Sequence, residues 1–440
     1  MSGVELALSS FGVLLLLIFL RVPIALAMFL VGLFGTVFVT GTWRPALASM
    51  KTLTYDVFSS HSLAIVPLFL LMGQFATKGG MSKALFAAAA AFLGHRRGGI
   101  AMASVGACGG FGAICGSSLA TAATMAHVAL PEMRRYGYSG ALATGSLAAG
   151  GTLGILIPPS IILVIYAILA EQNIIKMFIA AIVPGVLAAV GYMAAIAVYV
   201  RLFPASAQIK ERADRSERMR TLLEVWPVAL IFILVIGGIY AGWFTPNEGA
   251  AVGAAGTGLL ALFSRQLTWR GLGECILGTA TATAMIFFIV FGAQVYNSFL
   301  AYTQITQIAA EWVSESGLSP WVVLAMILLT YLVFGCIMDS LSMILLTVPI
   351  FFPLIMTLDF GLSPEETALW FGVLILIVVE LGLITPPVGM NMFIINSMAP
   401  GVPMSHTYRG VVPFLIAEVF RVTLIAAIPA IALYLPRLLY

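Results

Sequence analysis

The chain has 440 residues, of which 61% are hydrophobic and only 9% are Asp, Glu, Lys or Arg, with a formal net charge of +3. A soluble protein carries roughly 25% charged residues to cover its surface. With a mean hydropathy of +1.08, a soluble enzyme, a nucleic-acid binder and a disordered chain are all poor readings, and a polytopic membrane protein is the strong one.

A membrane-spanning helix needs about 20 apolar residues. In chain order, such stretches occupy 4–20, 22–40, 62–77 and 81–95. Residues 1–10 carry no Lys or Arg, so no basic region of a signal peptide precedes the first run. Segment 98–131 is apolar but crowded at its middle by Gly109, Gly110, Gly112 and Gly116. Spans 141–170 and 175–202 follow. Residues 203–224 hold Lys210, Glu211, Arg212, Asp214, Arg215, Glu217, Arg218 and Arg220, which reads as a solvated cytoplasmic linker. It divides the chain into halves, 1–202 and 225–440. The second half holds spans 225–242, 246–264 and 274–299, a second interrupted segment at 319–358 broken from Cys336 to Ser342, and spans 367–399 and 411–436.

Basic residues mark the cytoplasmic side. Arg96 and Arg97 precede segment 98–131, and Arg134 and Arg135 follow it, so both its ends face the cytoplasm. Each of its halves has about 16 residues, short for a span, which favours a re-entrant hairpin. Segment 319–358 lies between Glu311 and Glu315 on one side and Asp359, Glu365 and Glu366 on the other. No Lys or Arg occurs between Arg270 and Arg409, so this hairpin is expected to enter from outside. Eleven crossings and two hairpins then place the N-terminus inside and the C-terminus outside, with Arg21 as an exception.

The order of hairpin and broken helix occurs twice. Leu153 to Ser160 reads L-G-I-L-I-P-P-S, and Leu381 to Gly389 reads L-G-L-I-T-P-P-V-G. Upstream, C-G-S-S-L-A-T from Cys115 stands against C-I-M-D-S-L-S from Cys336. With opposite sides of approach, this is an inverted repeat, the plan of secondary transporters that bind substrate and ion at discontinuous helices near the midplane. A Pro pair breaks a helix, since Pro lacks the N–H and clashes with the carbonyl one turn back. The freed carbonyls need a partner in the bilayer, and a cation is one. The half-helix after the break offers N–H groups to a carboxylate. The plainer alternative is two kinks repaired by neighbouring Ser, Thr or water.

Asp339 and Glu380 sit in uncharged runs, where a carboxylate costs a few kcal/mol and suggests function. Asp339 reads as a cation ligand, a hairpin cap, or both. Glu380 reads as a proton carrier, a support behind a sodium site, or a packing pair. Ser117, Ser118, Ser340 and Ser342 are hard hydroxyl ligands at the tips, or caps. Thr385 and Asn391 bracket the second Pro pair and suit either cation or substrate. His61, His95, His127 and His406 have no ligand spacing, and the cysteines at 108, 115, 275 and 336 neither that nor a disulfide framework. Glu418 and Arg421 read as a self-neutralising pair three apart, or as a face for a partner subunit. Neither a Walker A motif nor a hydrolytic triad is visible.

The run Gly150 to Ser160, the G-S-S tip, M-D-S at Met338 to Ser340 and E-L-G-L-I-T-P-P-V-G-M-N at Glu380 to Asn391 together resemble the large membrane subunit of tripartite ATP-independent periplasmic (TRAP) transporters. The resemblance implies a sodium-coupled, elevator-type importer of small organic acids in the bacterial inner membrane, with sodium ions for coupling and no other cofactor. It implies a four-span small membrane subunit, here a separate chain because Tyr440 is the last residue, and a periplasmic substrate-binding protein. It places one sodium site at Gly116, Ser117, Ser118, Gly154, Ile157 and Pro158, and the other at Asp339, Ser340, Thr385, Pro386 and Gly389. Ser118, Pro159, Ser160, Ser340 and Asn391 are the substrate-binding candidates. A stand-alone sodium- or proton-coupled carboxylate carrier of the same fold is the main alternative. An ion channel and a membrane-embedded enzyme are weaker ones.

Overall fold

The computed structural model describes residues 3–440, without the side chains of residues 310, 312 and 314. Every helix or strand assigned among them is helical. The first half runs α1 (Gly3–Phe19), α2 (Ile24–Thr40), α3 (Trp43–Phe58), α4 (Ile65–Lys78), α5 (Met81–Leu93), α6 (Gly99–Cys115), α7 (Ser118–Arg135), α8 (Gly140–Leu156), α9 (Ile161–Leu169) and α10 (Ile174–Leu202). The second runs α11 (Arg215–Tyr240), α12 (Pro246–Phe263), α13 (Trp269–Thr303), α14 (Ile305–Ser316), α15 (Pro320–Gly335), α16 (Ser340–Met356), α17 (Pro364–Leu383), α18 (Met390–Ser397), α19 (Met404–Ala427) and α20 (Ala430–Leu439).

Five helices, α10, α11, α13, α17 and α19, are long and apolar enough to cross a membrane. The pairs α3–α4 and α8–α9, bent by 53° and 46°, bring the number to 7 if each is one span. The apolar window of α17 is 94% buried, against 28% for α11, so α17 is the axis of the molecule and α11 part of its outer wall. Around α17 pack α8, α9, α10, α15, α16 and α19.

Both interrupted segments are pairs of short helices, α6–α7 and α15–α16, joined at Gly116–Ser117 and at Cys336–Asp339. The segments 141–170 and 367–399 are interrupted where the Pro pairs fall, giving α8–α9 and α17–α18. Four elements depart from expectation, one being α14, which falls between the expected segments 274–299 and 319–358. Helix α3 was not anticipated, because Arg44, Lys51 and Asp56 interrupt its apolar run. The charged stretch is partly helical: Asp214 caps α11 by accepting from Glu217 N at 2.6 Å. The segment 411–436 is two helices, since Pro429 disfavours helical geometry at Ile428, whose φ of −127° and ψ of 79° end α19.

Small residues let these helices approach closely without a hydrophobic driving force between them. The backbones of α8 and α19 touch at Gly145 and Gly410, where neither glycine has room for a side chain.

Candidate functional site

Each hairpin ends in a tip whose second helix begins with a cap. Ser117 precedes α7 in extended geometry, and its Oγ accepts from Ala120 N at 3.4 Å. Asp339 precedes α16, and both its oxygens are engaged: Oδ2 accepts from Ser342 N at 3.0 Å and Oδ1 from Ser342 Oγ at 2.6 Å. Asp339 therefore caps a helix. A carboxylate has about four lone-pair sites, so capping and cation binding are compatible.

The tips lie against the broken helices through glycines that match in the repeat. A Cβ on Gly154 would sit 2.5 Å from Thr121 Oγ1 and 3.0 Å from Ser117 O. A Cβ on Gly382 would sit 2.6 Å from Gly335 Cα. Only glycine permits either approach. In each half a hairpin glycine meets a broken-helix glycine: a Cβ on Gly112 would sit 2.3 Å from Gly154 Cα, the counterpart of the Gly335–Gly382 contact.

The breaks differ. In the first, Pro158, Pro159 and Ser160 are buried, and Ser160 Oγ caps α9 by accepting from Leu163 N at 3.4 Å. Gly116 faces the start of α9, where a Cβ on it would lie 3.7 Å from Ile161 N. In the second, Pro386 and Pro387 are exposed. Gly389 N donates to Cys336 O at 3.3 Å, and Tyr408 Oη donates to Pro387 O at 2.9 Å. Thr385 Oγ1, just past the end of α17, turns back to Leu381 O in its last turn at 2.6 Å.

Where the two tips meet stands Glu380, with 1% of its surface exposed. Ser118 Oγ donates to its Oε2 at 2.7 Å, and Ser340 Oγ donates to its Oε1 at 2.8 Å. Two serines separated by about half of the chain converge on one carboxylate.

The residues of the first expected site divide. Gly116, Ser117, Ser118 and Gly154 gather at the tip, whereas the Ile157 side chain packs on Gly109 and Gly185. In the second, Gly389 and Pro386 meet the tip at Cys336, and Ser340 turns to Glu380. Of the substrate candidates, Ser118, Ser160, Ser340 and Asn391 are all buried. Asn391 Nδ2 donates to Ala148 O at 3.3 Å, while its Oδ1 has no hydrogen-bond partner among the described residues. Thr121 was not singled out from the sequence. Its hydroxyl is buried beside Gly154 with no partner among the described residues. The available signal was a hydroxyl one helical turn past the tip serine. Glu418 and Arg421 do pair, 2% and 5% exposed at their side chains, and Arg421 Nη1 also donates to Pro184 O of α10 at 2.9 Å.

Paired hairpins and interrupted helices around a buried axis define a polytopic transporter fold. A solved structure of the same shape is the YdaH transporter of Alcanivorax borkumensis, with a TM-score of 0.62 over 86% of this chain and 87% of that one. At 14% identity the likeness is one of fold. The chain belongs to the family described as tripartite ATP-independent periplasmic transporter, DctM component, whose model matches residues 11–431. It is 38% identical to the C4-dicarboxylate TRAP transporter large permease protein DctM of Pseudomonas aeruginosa, over 88% of this chain and 90% of that protein. It is 30% identical to the sialic acid TRAP transporter large permease protein SiaM of Vibrio cholerae, over 96% of both. The chain is thus a TRAP transporter large permease, a multi-pass inner-membrane protein and not an enzyme.

Proposed function

We propose that the chain couples sodium entry to import of a small organic acid delivered by a periplasmic binding protein, alongside a separate four-span membrane subunit. One observation carries this reading: in each half a capped tip lies against an interrupted helix, and the serines of both tips converge on Glu380. Hydroxyls, carbonyls and a carboxylate are hard oxygen donors, which suit a small hard cation. The two proposed sodium sites lie at the tips, one around Ser117 with Gly116, Ser118 and Gly154, the other around Asp339 with Ser340, Thr385, Pro386 and Gly389. Sodium is cargo here, and no further cofactor is invoked.

The acid would dock against the half-helix starts at Ser160 and Gly389, with Asn391 beside the second. No Arg stands within 20 residues of either Pro pair along the chain, so backbone N–H groups and hydroxyls would hold the carboxylate. The acids named for the two relatives, C4-dicarboxylates and sialic acid, both carry that group. In an elevator cycle the two hairpins, approaching from opposite faces, would move as one body.

The test is uptake into proteoliposomes containing both membrane subunits, with the loaded binding protein outside. Uptake should follow an inward sodium gradient and need the binding protein. Equal uptake in potassium with a pH gradient would sink the sodium reading, and uptake by this chain alone would favour the stand-alone carrier. A thermal-shift screen of the binding protein against organic acids would identify the substrate.

A further inference from the structure

Glu380 has a counterpart position but no counterpart in the repeat. Matching Leu381 with Leu153 sets Glu380 against Thr152, whose hydroxyl turns to Ala149 O at 2.7 Å and to Tyr192 Oη at 2.9 Å, not to a tip. The protein thus has one carboxylate for two tips and gives each tip one oxygen, Oε2 to Ser118 and Oε1 to Ser340. All three groups are buried.

The hydrogen-bond inventory gives this arrangement a consequence. A serine hydroxyl has one donor and two acceptor lone pairs. Once the donor is committed to Glu380, each hydroxyl presents only lone pairs to anything else, which is the orientation a cation needs. The carboxylate behind it strengthens the oxygen as a ligand, as outer carboxylates do at other metal sites. The tips also become dependent on each other. If one withdraws, a buried carboxylate oxygen is left without its partner, an unfavourable state in a low-dielectric interior. Only holding both tips on the carboxylate together avoids it.

We propose that Glu380 is a positioning residue that latches the two hairpin tips to one another, orients Ser118 and Ser340 as acceptors, and makes the two tip sites one cooperative unit. The latch follows from the geometry alone; the cooperative use of sodium rests on the proposed function.

The experiment uses the assembled membrane complex. Hydrogen exchange is followed by mass spectrometry on peptides covering 112–121 and 335–343, and sodium-dependent uptake is measured in parallel. Glu380→Gln keeps the size but turns one acceptor into a donor. It should speed exchange at both tips, by roughly tenfold if each loses a charge-assisted hydrogen bond. Glu380→Asp, which keeps charge and both oxygens, should restore part of the protection at both. Ser118→Ala should loosen its own tip most and the distant tip measurably. The Hill coefficient for sodium should fall from above 1 toward 1 in Glu380→Gln. Faster exchange at only one tip, or at neither, overturns the latch, as does a Ser118→Ala effect confined to 112–121. Should Glu380→Gln fail to assemble, Ser118→Ala, Ser340→Ala and their combination decide: shifts in exchange that simply add overturn the proposal, and a departure from additivity supports it. A wild-type Hill coefficient of 1 overturns the cooperative part. Wild-type uptake indifferent to sodium refutes the proposed function instead, and the exchange data still judge the latch.

Discussion

The two halves share a plan and differ at its centre. The first tip is capped by neutral Ser117 through a single long bond of 3.4 Å, and its break is buried. The second is capped by charged Asp339 through two bonds of 3.0 and 2.6 Å, and its break exposes Pro386 and Pro387. In this conformation the second break opens to the surface of the chain, while the first is enclosed by its neighbours. Repeated geometry therefore does not imply repeated energetics: the formal charge at the centre, Asp339 and Glu380, belongs wholly to the second half.

The strongest way to break the comparison is to uncouple the halves. Arg421 of α19, which follows the second broken pair α17–α18, reaches Pro184 O of α10, which follows the first broken pair α8–α9. Arg421→Met should strand buried Glu418 and lower stability by about 3–5 kcal/mol, read as a fall in the thermal unfolding midpoint. Adding Glu418→Met should recover much of that loss, whereas no recovery would mean the pair is not what holds the helices.

Next is charge. Asp339→Asn should raise the sodium concentration for half-maximal uptake about 10- to 150-fold, a loss of about 1.4–3 kcal/mol. Assembly should survive, because Asn caps a helix about as well as Asp. An unchanged value would leave Asp339 as a cap only.

Packing comes third. Gly382→Ala drives a methyl group into the Gly335 backbone, while Gly154→Ala first meets the Thr121 hydroxyl. Both should destabilise by about 1–3 kcal/mol, as overpacking does. Gly382→Ala should be the worse, because a backbone yields less than a side chain. The reverse order in thermal denaturation would mean that the first half is the stiffer one.

The smallest effect is expected at the neutral cap. Ser117→Ala should cost about 0.5–1 kcal/mol, the low end for a lost cap, because its bond is long. Half-maximal sodium should shift by less than in Asp339→Asn. A larger shift would make the neutral site the dominant one.

Much of this centre was legible from sequence because Pro pairs and Gly-Ser tips act locally: they determine where a helix stops whatever surrounds it. The breaks in α8–α9 and α17–α18 and the tips at Ser117 and Asp339 fall where such residues stand. The role of Glu380 was not legible, since its partners lie 262 and 40 residues away and only the fold brings them together. Helix α3 was missed because hydropathy weighs composition, and Arg44, Lys51 and Asp56 dilute a helix that still packs on α2 and α13. The separation of α20 from α19 falls at Pro429, which sits among apolar residues that by hydropathy alone make 411–436 one continuous span.

The backbone contact between Gly145 and Gly410 also bears on how the protein is made. Its two sides leave the ribosome about 265 residues apart, which at about 5–20 residues per second is roughly 13–50 seconds of translation. Throughout that interval the small-residue face of α8 lacks its final neighbour. The first half therefore waits in the bilayer as an incomplete body, exposed to insertion chaperones and proteases, until α19 arrives near the end of synthesis to close it.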